Sequence, residues 1–389
     1  MKIGYYTFAN IRIAETFIYD LIIGLEKKSD LTWFSGQKKI DEIITQNQIA
    51  VKFSPYESKI IQWIYKIGQL KGNWGYSWRM KLQLQYAKKH LDKLEEDQLP
   101  DVGYTEFLTT AILLREFFEE KNIPYIVHVH AYDITSELND PAYRKEIHKV
   151  FASASAIIAP SDYIHKLLIL EGCPAKKIYT VRLGIDTENI VPNSWEERLK
   201  EDPSIVFLGR LVEKKDPISL MYAFHLVKQK IPNAKLTIIG QGNLRKEIEN
   251  LIEKFGLEES VILKGALPRE KSFPIMNQHW IYAQHSITTR TGDKEGAPVS
   301  ISEASAHELP IVSTIHSGIP EQVLDGETGF LVQECDYEAM AERMIELLEN
   351  PTLMKTMGKA GREHIKKINN PQRRIDEIYA LLEEAYKKS

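Results

Sequence analysis

Apolar runs too short for helices alternate along this chain with stretches whose apolar residues recur at helical spacing. Lys2–Tyr6 reads as a buried strand, and a helix follows from about Ala14 to Lys27 with Phe17, Ile18, Leu21, Ile22 and Leu25 on one face. LTWF near 31, AVKF near 50, VGY near 102, IPYIVHV from 123 and SAIIAP from 155 continue the strands. The alternation predicts a parallel sheet with helices on both faces, a doubly wound α/β domain. Ser161 is placed to cap a helix. After Gly184-Ile185-Asp186, a polar, proline-bearing stretch to Pro203 reads as a linker.

The pattern then begins again. Ser204–Leu208, Lys235–Gly242, Val261–Leu267, Trp280–Gln284, Pro310–Thr314 and Gly329–Val332 read as strands. Tyr337–Leu348 and Pro351–Lys367 read as helices, and Pro371 interrupts the pattern before a last helix, Gln372–Lys388. At 389 residues the chain exceeds one ordinary core and fits two domains.

Composition adds two constraints. With 43% hydrophobic and 27% charged residues, it is that of an ordinary globular protein. The formal charge of −4 hides an asymmetry, since residues 1–91 hold 14 Lys and Arg against 7 Asp and Glu, leaving −11 for the rest. Cys173 and Cys335 fall in different predicted domains, so neither a disulfide framework nor a thiolate metal site is expected. No signal-peptide core opens the chain, and no run approaches the ~18–20 apolar residues of a spanning helix. A cytoplasmic protein is expected, one that meets a membrane only from its inner face.

Four stretches carry candidate chemistry. In Lys294–Pro310, Gly296, Ala297 and Pro298 read as a turn opening a helix, which puts Glu295 just before the helix and Glu303 about one and a half turns into it. A helix N-terminus is a site for phosphate, and acids beside it suit ribose and sugar hydroxyls, so the stretch reads as a nucleotide-sugar cradle. A loop carboxylate and a glutamate favoured by the helix dipole would look the same. The words Gly209-Arg210-Leu211-Val212-Glu213-Lys214-Lys215 follow a parallel strand, where basic residues reach the crevice that binds ligands and would neutralise a diphosphate.

His128 and His130 share one face of a strand end and could form half of a zinc site, but no third ligand stands nearby in sequence, so no metal is expected. Finally, Ser58–Leu91 has seven Lys or Arg, three Trp and no acid. It reads either as an interfacial membrane contact or as amphipathic helices with core aromatics and solvated lysines. Nucleic acid is not an expected partner, because no reader motif accompanies the charge. Gly240 and Gly242 lack the third glycine of a dinucleotide fingerprint.

The run Gln284–Pro320, QHSITTRTGDKEGAPVSISEASAHELPIVSTIHSGIP, resembles the signature of the retaining family 4 glycosyltransferases, and is most similar to the bacterial exopolysaccharide and colanic-acid-type enzymes. The resemblance extends over nearly the whole chain. It implies the GT-B fold: two Rossmann-like domains facing a central cleft, here 1–186 and 187–371, with the C-terminal helix 372–389 crossing back to the first. It further implies that Glu295 holds the donor sugar's hydroxyls and Glu303 the ribose. Gly209, Gly240, Gly296, Ala297, Pro298 and Val299 would line the donor nucleotide, and Arg210 and Lys215 have the spacing of the family's donor-phosphate pair. His130 and Asp133 fit an H-G-x-D-[IV] pattern whose histidine faces the donor sugar, with Ala131 in place of the glycine. The stretch Glu15, Thr16, Phe17 matches the first loop–helix junction on the acceptor side. There Ala9-Asn10-Ile11-Arg12 replaces the usual glycine-rich loop, and His307-Glu308 stands where relatives carry Cys-Gly.

The expected activity is therefore metal-independent, retaining transfer of a sugar from a nucleotide sugar to a saccharide or lipid-linked oligosaccharide in polysaccharide or glycoconjugate biosynthesis. A UDP-sugar comes first as donor and a GDP-sugar second. No cofactor is expected, the nucleotide sugar being a substrate. A GT-B nucleotide-sugar epimerase would turn over without an acceptor, and a non-catalytic nucleotide-sugar-binding protein would release no nucleotide. A hydrolase built on His130 and Asp133 lacks a G-x-S-x-G elbow.

Overall fold

The computed structural model describes residues 1–7, 16–35, 47–50 and 74–389, without the side chains of 16, 50 and 74–82. Asn10, Glu15 and residues 58–73 lie outside the described residues, as does the AVKF strand beyond 50. Within them the chain forms two compact units, Met1–Arg182 with Gln372–Ser389, and Leu183–Pro371.

The first unit is built on β1 (Lys2–Thr7), β2 (Asp30–Ser35), β3 (Gln48–Ala50), β4 (Val102–Glu106), β5 (Tyr125–His128), β6 (Ala156–Ala159) and β7 (Ile178–Thr180). They form one sheet in the order β3-β2-β1-β4-β5-β6-β7, every pairing parallel. Parallel strands are covered on both faces, which explains why β4, β5 and β6 are buried at every position. The crossovers are α1 (Thr16–Glu26), α2 (Trp74–Leu91), α3 (Leu108–Glu120), α4 (Pro141–Ser153) and α5 (Asp162–Leu170). Ser161 caps α5 by accepting from Ile164 N at 3.3 Å. Of the basic, aromatic stretch 58–91, the part with described side chains serves the core. Ala87 and Leu91 are buried with Phe118 and Val127, Leu84 packs against them, and Lys88 bonds Glu120 on α3.

The second unit holds β8 (Ser204–Leu208), β9 (Lys235–Ile239), β10 (Val261–Gly265), β11 (Ile281–Ala283), β12 (Ile311–Thr314) and β13 (Gly329–Val332), again all parallel, in the order β10-β9-β8-β11-β12-β13. Its longer helices are α6 (Pro217–Lys230), α7 (Arg245–Phe255), α8 (Arg269–Met276), α9 (Val299–Ala306), α10 (Tyr337–Leu348) and α11 (Pro351–Ile368). Pro298 is the N-cap of α9, its ψ of 116° still extended, so the helix begins one residue later than the sequence suggests. A last helix, α12 (Pro371–Lys387), starts where Gly184 passes so close that a Cβ there would stand 2.5 Å from Pro371 Cα.

In both sheets the winding reverses next to the first strand of the unit, between β1 and β4 and between β8 and β11. Open α/β sheets bind ligands at the carboxyl ends of the strands at such reversals. Among the described candidates, His130 and Asp133 follow β5, Gly209, Arg210 and Lys215 follow β8, and Glu295 to Val299 follow β11.

Candidate functional site

In the second unit β8 ends at Leu208, and the chain turns through Gly209 and Arg210 into a short helical turn, Glu213–Lys215. Both lysines of that turn, Lys214 and Lys215, are buried. Lys215 Nζ lies 3.0 Å from Glu295 Oε1 and donates to Gln284 Oε1 at 3.1 Å. Two glycines make room for this. A Cβ on Gly209 would stand 2.8 Å from Lys215 Cδ, and one on Gly240 would stand 1.8 Å from the Gly209 carbonyl oxygen. Arg210 is exposed beside them.

Glu295 is buried, which by itself would push its carboxyl up, but the charges of Lys215 and Lys214 more than offset this and hold it at about 2. Burial in turn lowers Lys215, against the pull of Glu295. Lys214 donates to Asp293 Oδ1 at 3.2 Å and to the Lys294 carbonyl at 3.3 Å, pinning the loop that carries Glu295. Gln284 is the centre of a polar cluster, with Tyr282 Oη 2.9 Å and Ser300 Oγ 3.2 Å from its Oε1, and its Nε2 donating to Ser286 Oγ at 2.7 Å.

Gly296, Ala297, Pro298 and Val299 form the turn into α9, and no side chain caps that helix start. Glu303, in the second turn of α9, is buried against Arg269, whose Nη2 and Nε both reach Glu303 Oε1, at 3.0 and 3.2 Å. His307, just past α9, is buried with its ring edge-on to Phe273, a packing role.

In the first unit the carboxyl ends of β4 and β5 bring Glu106 to the two histidines. His130 Nε2 lies 2.7 Å from Glu106 Oε2, and His128 Nδ1 lies 3.8 Å from the same oxygen. The expectation that the histidines have no third partner is therefore corrected. That partner is 22 residues from His128 in sequence and becomes a neighbour only through β4–β5 pairing, Glu106 opposite His128. These three residues offer ligand atoms within 4.8 Å of one another. Tyr5 donates to Glu106, Tyr104 Oη lies 3.3 Å from it, and Tyr104 Oη bonds His128 Nδ1 at 2.7 Å, while His128 Nε2 is buried with no hydrogen-bond partner.

Burial would raise the Glu106 carboxyl, but the two imidazoles and Tyr5 hold it at about 2, while burial takes His128 down to about 3. The His130 ring lies between Phe107 and Phe17, with centroids 4.4 and 5.5 Å away. Asp133 Oδ2 accepts the His130 backbone N–H at 3.0 Å, and full burial raises the Asp133 carboxyl to about 6 against the opposing pull of His130. From α12, buried Arg374 donates to the Phe17 carbonyl at 2.8 Å. Thr16 opens α1.

Residues 14–189 match the model of Glycosyltransferase Family 4, and residues 192–364 match that of Glycosyl transferases group 1. The chain belongs to the family 4 glycosyltransferases. It is 33% identical over 218 residues to the amylovoran biosynthesis glycosyltransferase AmsK of Erwinia amylovora, covering 56% of this chain and 53% of that one. To the putative colanic acid biosynthesis glycosyltransferase WcaL of Salmonella typhimurium it is 31% identical over 257 residues, 65% of this chain and 63% of the other. The chain thus spans between 53% and 63% of the length of these curated relatives. Anabaena HepE, solved in complex with UDP and glucose, matches with a TM-score of 0.77 and 17% identity over 99% of this chain and all of HepE. That likeness shows the GT-B fold.

In this family 4 chain, sequence reasoning missed the partners rather than the charges. Gln284 opens the signature run, yet nothing in its spacing marks it as the acceptor for Lys215. Arg269, Glu106 and Glu334 carry no sequence signal beyond residue type, and Lys214 and His316, though they lie in the basic turn and the signature run, are not marked there as partners of the Glu295 loop. Among the described residues no helix is long and apolar enough to cross a membrane.

Proposed function

We propose that the chain transfers a sugar from a nucleotide-sugar donor, a UDP-sugar first and a GDP-sugar second, to a saccharide or lipid-linked acceptor in polysaccharide or glycoconjugate assembly. The anomeric configuration is retained, and no metal ion is used. The observation that carries this reading is the buried Lys215–Glu295 pair at the sheet reversal, 3.0 Å apart and backed by Gln284. A diphosphate leaving group gains charge as the sugar bond breaks, and fixed cations in a low-dielectric site stabilise that charge most where it grows. Lys215, exposed Arg210 and the uncapped start of α9 supply the positive field. Glu295, kept ionised, accepts hydrogen bonds from sugar hydroxyls, and Glu303 does the same for the ribose. His130, aimed by Glu106, faces the sugar, and Asp133 holds the backbone behind it. Asn10, Glu15 and Thr16 belong to the acceptor side.

The test is nucleotide release from UDP-, GDP- and ADP-sugars without acceptor, for the wild type and for Glu295→Ala and Glu303→Ala. Slow release from one donor, lost in both variants, supports the reading. Conversion of the donor to a second nucleotide sugar, with no nucleotide released, would indicate an epimerase, and no release or thermal shift with any donor would overturn the reading. Retention is checked by NMR of the product anomer. Attachment through residues 58–91 predicts sedimentation with vesicles of anionic phospholipid that is lost in the Arg79→Glu/Lys81→Glu variant. Equal sedimentation of the two proteins removes the membrane contact.

A further inference from the structure

The loop from Thr288 to Glu295 is held at both ends by one carboxylate. Glu334, just past β13, accepts from the Thr288 backbone N–H at 2.8 Å and from Thr288 Oγ1 at 3.2 Å. Its Oε1 also lies 2.6 Å from His316 Nδ1. On the far side of that ring, the Glu295 backbone N–H donates to His316 Nε2 at 3.0 Å. Ser317 Oγ approaches the same nitrogen at 3.1 Å. His316 is fully inside the unit, at 1% exposure.

The chemistry of the two partners fixes the state of the ring. Glu334 is held below the usual carboxylate range, burial opposing and His316 and the Thr288 amide prevailing, so it is an acceptor and Nδ1 must carry the hydrogen. An amide N–H can only donate, so Nε2 must be bare. Both bonds exist together only for neutral imidazole in the Nδ1–H tautomer.

We propose that His316, oriented by Glu334, is a positioning residue that places the backbone of Glu295 and through it the carboxylate that meets the donor sugar. This rests on the role proposed for Glu295 above. Lys215 fixes the Glu295 side chain from the front while His316 fixes its main chain from behind. The loop between is tied by Lys214 to Asp293 and by the Arg290 N–H to Glu213 Oε1 at 3.2 Å. Oriented groups behind a reacting residue matter because a displacement of about 1 Å can lower the rate on the order of a hundredfold.

Two measurements test this. Histidine side-chain 15N–1H correlation spectra of the wild type should show one ring, missing in His316→Gln, as the neutral Nδ1–H tautomer. A protonated ring or the Nε2–H tautomer overturns the proposal. Kinetics then use whichever of UDP-glucose, UDP-galactose, UDP-N-acetylglucosamine and GDP-mannose the wild type turns over fastest. His316→Leu removes the acceptor and should lower kcat by about ten- to a hundredfold while leaving the Kd for the matching free nucleoside diphosphate within about twofold. His316→Gln, whose Oε1 can take the place of Nε2, should recover most of kcat. A His316→Leu protein with wild-type kcat, where Glu295→Ala is inactive, overturns the positioning role alone. A fully active Glu295→Ala protein would instead sink the reading of Glu295 on which it rests.

Discussion

Glu106 in the first unit and Glu295 in the second are buried carboxylates near the reversals of their sheets, and the two are stabilised by different partners. Glu106 is surrounded by His130, His128, Tyr5 and Tyr104, groups that can all be neutral. Glu295 faces Lys215 and Lys214, whose charges cannot be discarded without cost. Both carboxyls are held at about 2. The first arrangement fixes the orientation of a ring. The second stores a cation beside an anion, and on the proposed function an arriving diphosphate would take over Lys215 while Glu295 turns to sugar hydroxyls.

The largest effect follows from the second arrangement. Lys215→Ala leaves Glu295 buried without its main counter-charge, and breaking a buried pair from one side costs about 3–5 kcal/mol. Thermal unfolding should show a large drop in Tm together with lost nucleotide release. The double variant Lys215→Met/Glu295→Leu, which removes both charges, should regain most of the Tm and none of the activity. If Lys215→Ala melts like the wild type, the two carboxylates are not held differently and the comparison fails.

A direct contrast comes next. Glu295→Gln strands a buried lysine, whereas Glu106→Gln leaves only neutral-capable partners, so the second should be the milder change, about 1–2 kcal/mol for weakened hydrogen bonds. Its kcat should still fall on the order of tenfold, because His130 loses the carboxylate that aims it. Chemical denaturation of the two variants side by side checks the order. Equal losses would mean that charge type is irrelevant at these positions.

Why these partners escaped the sequence is a matter of topology. Strands and helices were legible because β4, β5 and β6 are buried end to end, β1 is buried after its first residue, and the helices keep one apolar face. Glu295, Glu303, Arg210 and Lys215 were legible as residue types in a recognisable run. What pairs with each was not: Lys215 meets Gln284 and Glu295 because β8 and β11 are neighbours, although 69 and 80 residues separate them in the chain. Glu106 closes the strand VGYTE, where every position is buried and no periodicity marks the acid. The start of α9 was displaced by one residue because proline serves there as the cap rather than as the first helical position.

Acid should unsettle both units through the same sign. A carboxyl held at about 2 when folded and near 4 when unfolded contributes stability above the unfolded value and loses it as pH falls toward 2. Glu106→Gln and Glu295→Gln should each flatten the stability profile below about pH 4.5 relative to the wild type. A wild-type profile no steeper there than those of the variants would show that neither carboxylate is specially stabilised.

Asp133 is the most separable case, because its shift has the opposite sign. Burial raises its folded carboxyl to about 6, so folding takes up a proton between about pH 4 and 6, and the wild type loses stability as pH rises through that window. Two pH units correspond to at most about 3 kcal/mol. His128, lowered to about 3 by burial, works the other way over part of the same range, since a ring kept neutral in the fold favours the native state as pH rises. The raw profile therefore mixes the two, and only the difference between the wild type and Asp133→Asn isolates the carboxyl. Asparagine keeps an acceptor for the His130 N–H, so the variant should match the wild type at pH 4 and exceed it in Tm above pH 6. A difference that stays flat from pH 4 to 7 would mean that Asp133 is ionised throughout, held by the His130 backbone more firmly than burial opposes it.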